Sequence, residues 1–351
     1  MPTLATRSGA VTLLDWSKSI DPDGKVAAVA ELLTQSNEIL MDMPFIEGNL
    51  PTGHRAAIRT GLPSVIWRQL YQGVPAGKSL RAQVEDSLGI LETRSEVDLD
   101  VASLNGNTAE FRLSEAQAFL ESMNQAMAEA LIYGNSAINP EQFTGLAPRY
   151  SSTTVSPSNQ TANNVISAGG SGNCTSVWLV CWGQNTVTGI FPKGSNAGLV
   201  HQDLGEIDAF DGSNNRYRAY ADRWQWKAGL HVKDWRYIVR ICNISVSDLQ
   251  GQSGTQALTA ATQIHRVMAR ALQRIPFMGM GKCVFYANRT VKTYFSVAAL
   301  DRSNAAVTVE PALEQFGKLS PGSVSGGGTL KFLGVPIRTV DRIRNNETAL
   351  V

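Results

Sequence analysis

The amino-acid sequence predicts an α+β fold. Three observations lead to this class: the helical apolar patterns stand apart from one another, the strand-like segments look antiparallel, and strands and helices do not alternate regularly. No internal repeat recurs at a period of about 20 to 50 residues, which argues against a repeat array. The sequence therefore predicts a globular protein in which separate helices pack beside mainly antiparallel strands.

The composition narrows the classes of function. The chain has 351 residues, with 31 Lys and Arg against 30 Asp and Glu, so its net charge is +1. This balance argues against a strongly basic nucleic-acid module and against an acidic disordered protein. Charged residues make up 17% of the chain, below the typical fraction of about a quarter. Low charge is compatible with a surface that largely faces other protein.

Membrane and disulfide signals are weak. No apolar run approaches the roughly 18 residues of a membrane span, and the stretch 9–14 is too short for a signal peptide. We therefore expect synthesis in the cytosol and no membrane partner. The cysteines stand singly, without a CxxC motif, so we expect four reduced thiols rather than a disulfide framework or a zinc cluster: Cys174, Cys181, Cys242 and Cys283.

The first element in chain order is an arm, residues 1–60, that contains one helix. Asp21, Pro22 and Asp23 provide a helix start. Apolar residues then recur at helical spacing, at Val26, Val29, Ala30, Leu33 and Leu40. Beyond residue 41, proline and glycine interrupt the pattern repeatedly. Such a segment cannot close a core of its own, so it must lie on something else.

Residues 62–104 are predicted to form a long projecting excursion. Residues 64–70 look like a strand, the glycines and proline of 73–77 form a turn, and residues 80–104 run back. Within the return, 96–101 alternates charged and apolar residues, which is typical of a half-buried strand.

Residues 114–133 give the clearest helical pattern. Ser114 and Gln117 form a capping box at its start, and Gly134 ends it. We expect one apolar stripe of this helix to be buried in the core: Phe119, Leu120, Met123, Met127 and Leu131. Methionine and leucine at this spacing indicate core packing rather than a cofactor site.

The remaining chain alternates loops, strands and one further helix. Residues 135–173 are rich in loop-forming residues. A second helix is predicted at 255–275, and Pro276 ends it. The predicted strands are short apolar runs, and the last two form a hairpin: 177–182, 187–191, 236–244, 283–286, 291–295 and the hairpin 329–340.

Motifs of catalysis are missing from the sequence. It contains no GxSxG, P-loop, HExxH, DFG or GxGxxG motif. Two histidines have carboxylates nearby in sequence: His201 precedes Asp203 and Glu206, and His231 precedes Asp234. Such spacing is compatible with a metal or acid/base pair, so an α+β hydrolase or a lectin remains an alternative.

The segment 216–240 interleaves basic and aromatic residues. Arginine and aromatic side chains in such a pattern can clamp phosphates and stack on bases, which makes a non-specific nucleic-acid-binding protein a second alternative. The same residue types are the favoured anchors of protein interfaces. Because the chain is nearly neutral and contains no base-reading motif, we favour an interface or core role.

The projecting segments indicate self-association. On an isolated monomer, the excursion would expose Val65, Ile66, Trp67 and Leu70. Neighbouring copies can cover such apolar surface, and repeated contacts between identical chains close into rings or shells.

Several sequence blocks resemble the major capsid proteins of tailed bacteriophages. Their order and number over residues 60–345 carry this resemblance. The blocks are Gly61-Leu62-Pro63-Ser64, Trp67-Arg68, Gly73-Val74-Pro75, Ala130-Leu131-Ile132-Tyr133-Gly134-Asn135, Gly189-Ile190-Phe191-Pro192-Lys193-Gly194, Arg240-Ile241-Cys242-Asn243-Ile244, Tyr286-Ala287-Asn288-Arg289-Thr290 and Gly334-Val335-Pro336-Ile337-Arg338.

The resemblance implies a Hong Kong 97-type capsid fold. It implies, in chain order, an N-terminal arm (1–60), an extended loop (61–104), a peripheral domain (105–240) with a spine helix (114–133), an axial domain (241–330) and a C-terminal strand segment (331–351). The second helix, 255–275, would belong to the axial domain.

The resemblance also implies a function and partners. Copies would form pentamers and hexamers of an icosahedral shell around double-stranded DNA, with no enzymatic activity and no cofactor. A separate scaffolding protein and a portal are expected partners, a decoration protein is a further candidate, and packaged DNA would be contacted non-specifically through phosphate. The protein would be made in the bacterial cytoplasm and reside in the virion. The expected intersubunit contacts are Trp67, Arg68, Tyr71, Lys78, Arg81, Glu85 and Arg94.

Overall fold

A computed structural model describes residues 35–103, 108–211, 213–249, 254–300, 307–310 and 329–350. The helices are α1 (Ile39–Asp42), α2 (Leu99–Ser103), α3 (Thr108–Tyr133), α4 (Leu146–Arg149), α5 (Val246–Leu249), α6 (Gly254–Arg274) and α7 (Arg289–Leu300). The strands are β1 (Phe45–Glu47), β2 (Gly53–Gly61), β3 (Leu80–Ser87), β4 (Gly89–Asp98), β5 (Val165–Ser167), β6 (Cys174–Trp182), β7 (Val187–Phe191), β8 (Leu199–Phe210), β9 (Arg216–Val232), β10 (Ile238–Ser245), β11 (Lys282–Ala287), β12 (Val307–Glu310), β13 (Thr329–Phe332) and β14 (Val335–Thr339). This mixture confirms the α+β class.

The chain divides into two compact units. Within the described residues, the first unit contains Gln35, 90–127 and 198–227, and the second contains 36–89, 128–197 and 228–350. The predicted arm helix that starts at Asp21 lies largely outside the described residues, and the glycine-rich segment 322–328 lies wholly outside them.

Strand β6 is the centre of the second unit. Its neighbours β10 and β11 both run antiparallel to it, and Leu179 stands opposite Val239 on one side and Phe285 on the other. Every residue of β6 is buried. This double burial explains why the predicted strand 177–182 is a continuous apolar run rather than an alternating one.

Helices α6 and α7 contribute to the core on one face of these strands. Met268 and Leu272 of α6 and Phe295 of α7 belong to the same buried cluster as Leu179 and Phe285. Helix α6 confirms the helix predicted at 255–275 to within one residue at each end.

The second unit is completed by a hairpin and by two strand pairs. Strands β13 and β14 pair antiparallel, as predicted for 329–340. Their turn places Leu333 at a φ of 47° and Gly334 at a φ of 84°, the left-handed conformations of a type I′ turn. Strand β7 pairs with β1 in parallel and with the end of β9, residues 229–232, antiparallel.

The first unit is built around the long β8–β9 hairpin. Strand β4 lies next to β9, and Arg223 of β9 binds Glu92 of β4 at 2.7 Å. Hydrogen bonds from Arg223 and Gln225 lower the pKa of Glu92 to about 2. Phe119 of α3 stacks on Trp224 of β9, with ring centroids 5.7 Å apart.

Helix α3 corrects the predicted spine helix at its start and in its stripe. It includes Thr108, so it extends well beyond the predicted start at Ser114, because Phe111 is buried against Val97 and Ala102. Met123, Met127 and Leu131 are buried and Phe119 is half-buried, whereas Leu120 is 37% exposed. Leu120 therefore departs from the expected stripe and faces a groove of the first unit.

Residues 291–295, predicted as a strand, are part of helix α7. The side chain of Asn288 caps this helix by accepting a hydrogen bond from the Thr290 backbone N–H at 2.9 Å. Val291 and Phe295 lie one turn apart and are both buried. The short apolar run is therefore a helix face, which periodicity alone does not separate from a strand over five residues.

Two strand predictions in the excursion are also wrong in position. Residues 64–70 form no strand; the paired strands are β2 before them and β3 after them. Proline at position 63 has no N–H with which to extend the ladder. The return strand β4 ends at Asp98, whose side chain accepts a hydrogen bond from the Asp100 N–H at 2.9 Å, so the predicted strand 96–101 finishes in helix α2.

Two of the four cysteines are joined. Cys181 of β6 and Cys283 of β11 stand directly opposite each other in the antiparallel ladder and form a disulfide, whereas Cys174 and Cys242 are free and buried. The expectation of four reduced thiols is therefore wrong for this pair, because partners 102 residues apart in sequence leave no spacing motif.

The described helices are not those of a membrane-spanning segment. Each helix in the described ranges is either too short or too polar to cross a lipid bilayer.

Candidate intersubunit surface

Strands β2 and β3 form a separate two-stranded hairpin. Their register places His54 opposite Asp86, Ala56 opposite Val84 and Ile58 opposite Ala82 on one half-buried face. The other face is exposed. Because a two-stranded sheet is marginally stable on its own, the hairpin depends on contacts at its base and on whatever covers its free end.

The free end of the hairpin is residues 62–79, here called the hairpin tip. It contains no strand or helix. Three of its large apolar side chains are almost fully exposed, Trp67 at 100%, Val65 at 95% and Leu70 at 85%, whereas Ile66 is 45% exposed. Isolated exposed apolar residues are ordinary, but a cluster of this kind on one projecting segment marks an interaction surface.

The outer part of the hairpin is positively charged. Arg59 stands directly opposite Arg81, and like charges in such a pair destabilise a ladder. Arg68 and Lys78 add two more cations, and no acidic residue lies between positions 57 and 84. This charge and the apolar tip favour a partner surface that is both apolar and acidic.

The expected contact residues fall into three groups. Trp67, Arg68, Tyr71 and Lys78 lie on the exposed tip, and Arg81 lies just beyond it on β3. Glu85, by contrast, is bound within the chain by Arg55 at 2.7 Å. Arg94 lies on β4 of the first unit, beside Glu96 at 3.4 Å.

The base of the hairpin is fixed by Asp86. Its Oδ1 accepts a hydrogen bond from Arg149 Nη2 at 2.7 Å, and its Oδ2 accepts one from His231 Nδ1 at 2.7 Å and one from the Val232 N–H at 3.1 Å. The carboxylate is buried. Since it can only accept, His231 carries a proton on Nδ1. These bonds attach β3 to β9 and to the end of α4.

The surroundings of Asp86 and His54, at the base of the hairpin, shift the pKa values of both side chains. Burial acts to raise the pKa of Asp86, but the hydrogen bond from His231 and the charge of Arg149 outweigh it and hold that pKa below its usual value. Burial and the neighbouring His231 lower the pKa of His54. The two imidazole rings meet edge-on with centroids 4.5 Å apart. At the base of the hairpin, the folded structure therefore favours an ionised Asp86 and a neutral His54.

This cluster has no local signal in the sequence. His54, Asp86, Arg149 and His231 are widely separated along the chain, and each has an unremarkable local context. Of these residues, only His231 has a predicted role, and the predicted partner is Asp234. Asp234 instead receives hydrogen bonds from the backbone and guanidinium of Arg236.

The other histidine candidate also has a structural role. His201 Nε2 lies 3.0 Å from Asp222 Oδ1, and Asp222 together with Asp203 binds Arg112. No group of three His, Cys, Asp or Glu side chains within the described ranges has the geometry to hold a metal ion. The alternative of a hydrolase or lectin therefore finds no support in these neighbourhoods.

The Arg/aromatic segment 216–240 does not form one nucleic-acid surface. Its arginines are paired with acidic side chains: Arg218 with Glu206, Arg223 with Glu92, Arg236 with Asp234 and Arg240 with Glu347. Trp224 and Tyr237 are buried. Neutralised arginines and buried rings contribute little to phosphate binding, so this alternative is also unsupported.

Comparisons with known proteins agree with one another. A family model described as major capsid protein GP7 matches residues 21–351. A chain in the structure of bacteriophage Epsilon15 is 29% identical, with 99% of each chain covered and a TM-score of 0.73. No curated protein sequence matches the chain.

Two further solved structures have lower similarity. A chain of the bacteriophage JBD30 capsid is 10% identical, covering 89% of this chain and 92% of that chain, with a TM-score of 0.45. A chain from the capsid of a native GTA particle is 10% identical, covering 64% of this chain and 95% of that chain, with a TM-score of 0.45. The family match covers all of the described residues, hairpin included, and the Epsilon15 likeness covers 99% of the chain. The chain therefore belongs to the GP7 family of phage major capsid proteins.

Proposed function

We propose that copies of this chain assemble as pentamers and hexamers of a closed icosahedral shell around double-stranded DNA. The observation that carries the proposal is the β2–β3 hairpin. Buried ionic contacts hold the hairpin at its base, and its tip exposes Trp67, Val65 and Leu70. A tip of this kind gains stability only when another surface covers it. In a shell, the adjacent subunit supplies that cover.

Assembly is driven by burial summed over many contacts. A specific interface removes about 1,000 Å² or more of surface from water. Each subunit of a closed shell meets several neighbours, so individually weak contacts reinforce one another. The cations of the outer hairpin, Arg59, Arg68, Lys78 and Arg81, direct it towards an acidic neighbour.

The domain roles follow the same proposal. Residues 1–60 act as the arm, 61–104 as the extended loop, 105–240 as the peripheral domain, 241–330 as the axial domain and 331–351 as the C-terminal strand segment. The hairpin strands begin earlier, at Gly53, so the loop and the end of the arm act together.

The proposed partners are those of a shell. A scaffolding protein and a portal would take part in assembly, a decoration protein would bind the finished surface, and DNA would meet scattered Lys and Arg side chains through its phosphates. The chain would be made in the bacterial cytoplasm and would end in the virion.

Deletion of residues 72–79 tests the role of the tip. We expect the shortened chain to remain soluble and folded, because these residues are exposed and make no regular structure, but to fail to form particles. Particle yield is measured by sedimentation and electron microscopy. Particles of normal size and yield from the deletion variant would refute the role of the tip.

A point variant separates burial of the tip from its length. Trp67→Ala should reduce particle yield severalfold without changing the thermal stability of the free subunit, because the indole is fully exposed there. The matched control is Met41→Ala, which removes another exposed apolar side chain, 85% exposed, outside the hairpin. Equal effects of both variants would contradict a specific contact at Trp67.

A further inference from the structure

Helix α6 carries three arginines along one face. Arg266, Arg270 and Arg274, here called the arginine row, follow one another at steps of four residues, and side chains four residues apart are neighbours on a helix surface. Arg266 and Arg270 are exposed and Arg274 is half-buried. Met268 and Leu272, on the opposite side of the helix, belong to the buried core. The row therefore faces away from the core of the second unit.

The arginine row lacks the acidic partners that the neighbouring cations have. Residues 249–300 contain six Lys and Arg side chains and no Asp or Glu. Three of these cations bind acids from other parts of the chain: Lys282 binds Asp42 at 2.7 Å, Arg289 binds Asp341 at 2.6 Å and Lys292 binds Glu38 at 3.7 Å. The other three are the arginine row, and no carboxylate among the described residues pairs with them. The row is thus an uncompensated positive charge on a chain whose net charge is only +1.

The end of the helix accounts for only part of this charge. Cations stabilise the C-terminus of a helix, but this effect falls off within the last turn. Arg274 is the last residue of α6, and its guanidinium donates a hydrogen bond to the Val165 carbonyl oxygen at 3.4 Å. Arg266 lies about two turns earlier, where the C-terminus does not compensate it. Burial and the charge of Arg270 lower the pKa of Arg274, so the arginines repel one another, and a bound anion would relieve that repulsion.

The residue types on this face favour phosphate over a protein surface. Its exposed side chains are Arg266, Arg270 and Gln273, and none of them is apolar, whereas arginines in the centre of a protein interface stand among aromatic and apolar side chains. Exposed Phe277 lies beyond Pro276, after the helix has ended. Guanidinium groups bind phosphate with two parallel hydrogen bonds, and Arg and Gln side chains are common contacts of the nucleic-acid backbone. This chemistry indicates a phosphate ligand.

The spacing of the row suits a nucleic-acid strand. Four residues of a helix rise about 6 Å, so the row extends over about 12 Å. The phosphates of one strand of duplex DNA follow one another at about 3.4 Å along its axis, so a helix lying along the strand meets about three to four of them. We propose that the arginine row binds the phosphate backbone of a nucleic acid and holds it against α6 without reading its bases. The inference rests on the proposed function only for the source of this ligand, which in a shell is the packaged DNA.

Charge-neutralising variants of the unassembled, full-length subunit test this binding. Arg266→Gln combined with Arg270→Gln, here called the α6 variant, removes two exposed positive charges from the row. The matched control, Lys193→Gln combined with Arg216→Gln, removes two exposed positive charges outside α6. Fluorescence anisotropy with a short labelled DNA duplex measures the affinity over a series of salt concentrations, and circular dichroism checks that each variant is folded.

We expect the α6 variant to bind the duplex at least about tenfold more weakly than the wild type at low salt. The slope of log affinity against log salt concentration should become shallower by about 2, because each lost phosphate contact changes that slope by about 0.9. The control variant should keep the wild-type slope, and Arg266→Lys combined with Arg270→Lys, which keeps both charges, should restore most of it. Equal losses in the α6 and control variants, or a wild-type affinity that does not depend on salt, would overturn the proposal.

Particle formation separates this proposal from the shell itself. The α6 variant should still form particles of wild-type size and yield, measured by sedimentation and electron microscopy, because the row contacts nucleic acid and not a neighbouring copy. Loss of particles with unchanged DNA binding would assign the row to a protein interface and overturn the proposal. A wild-type chain that binds DNA through the row but forms no particles would refute the shell and support the phosphate site.

Discussion

Replacing Glu347 by glutamine should lower the free energy of unfolding by about 3 to 5 kcal/mol, because it removes one partner of a buried ion pair and leaves the other uncompensated. Glu347 Oε2 accepts a hydrogen bond from Arg240 Nη2 at 2.9 Å. Both side chains are less than a tenth exposed. The change is isosteric, so the loss reports the charge rather than a cavity.

The ion pair holds the C-terminal segment on the central strand. Ser176 of β6 and Tyr133 of α3 also donate hydrogen bonds to the Glu347 carboxylate. The backbones of Glu347 and Cys174 exchange two hydrogen bonds, at 2.8 and 3.2 Å. Burial and the charge of Glu347 raise the pKa of Tyr133, so its hydroxyl stays a donor across the ordinary pH range.

The matched control is Glu129→Gln. Glu129 binds Arg344 at 2.6 Å in the same C-terminal segment, but the pair is exposed, so the expected loss is below about 1 kcal/mol. Urea denaturation followed by circular dichroism measures both variants. A Glu347→Gln loss no larger than the Glu129→Gln loss would show that the buried pair does not stabilise the fold.

Replacing Asp86 by asparagine should release the base of the hairpin. Asp86 compensates Arg149 and accepts from His231 and the Val232 N–H, and removing one partner of such a buried pair costs about 3 to 5 kcal/mol. Hydrogen exchange of the β2 and β3 amides should therefore accelerate by about a hundredfold or more.

Its matched control is the adjacent Glu85→Gln. Glu85 also forms an ion pair across the hairpin, with Arg55, but both side chains are 49% exposed, so exchange should change by less than about fivefold. Protection of β2 and β3 that survives Asp86→Asn would mean that the base is held by other contacts.

Low pH should destabilise the base of the β2–β3 hairpin in the wild-type protein. The pKa of His54 is lowered from its ordinary value of 6.5 in the folded protein. As the pH falls, the His54 imidazole of the unfolded chain therefore binds a proton before that of the folded chain does, and the stability of the folded state falls below about pH 6.5. The pKa of Asp86 is lowered from 3.8, so its stabilisation is complete above that pH and is lost as the pH falls further. The two groups act in the same direction.

The sequence predicted those helices and strands whose buried residues follow a regular pattern within a short stretch of the chain. The run 177–182 is buried on both faces in β6, the stripe of 255–275 packs one face of α6, and the 329–340 hairpin turns at Gly334. In each case, hydrophobic spacing and one turn or helix end define the element. The apolar residues of the tip were also visible as an exposed cluster, because they lie close together in sequence.

Features that depend on distant partners were not predictable in this way. Helix α3 extends ahead of Ser114 because Phe111 packs against Val97 and Ala102, a contact that the capping box at Ser114 does not signal. Asp86 meets His231 across 145 residues, and neither residue shows its partner locally. Each of these pairings follows from the order of the strands, which periodicity does not specify.

Electron microscopy and sedimentation of the purified full-length chain, alone and with co-expressed scaffold, show whether neighbouring copies cover the hairpin tips with Trp67 and Leu70. We expect closed shells, in which Trp67 becomes protected from solvent. A chain that remains monomeric at high concentration under both conditions, with its hairpin tip covered by its own body, would contradict this expectation.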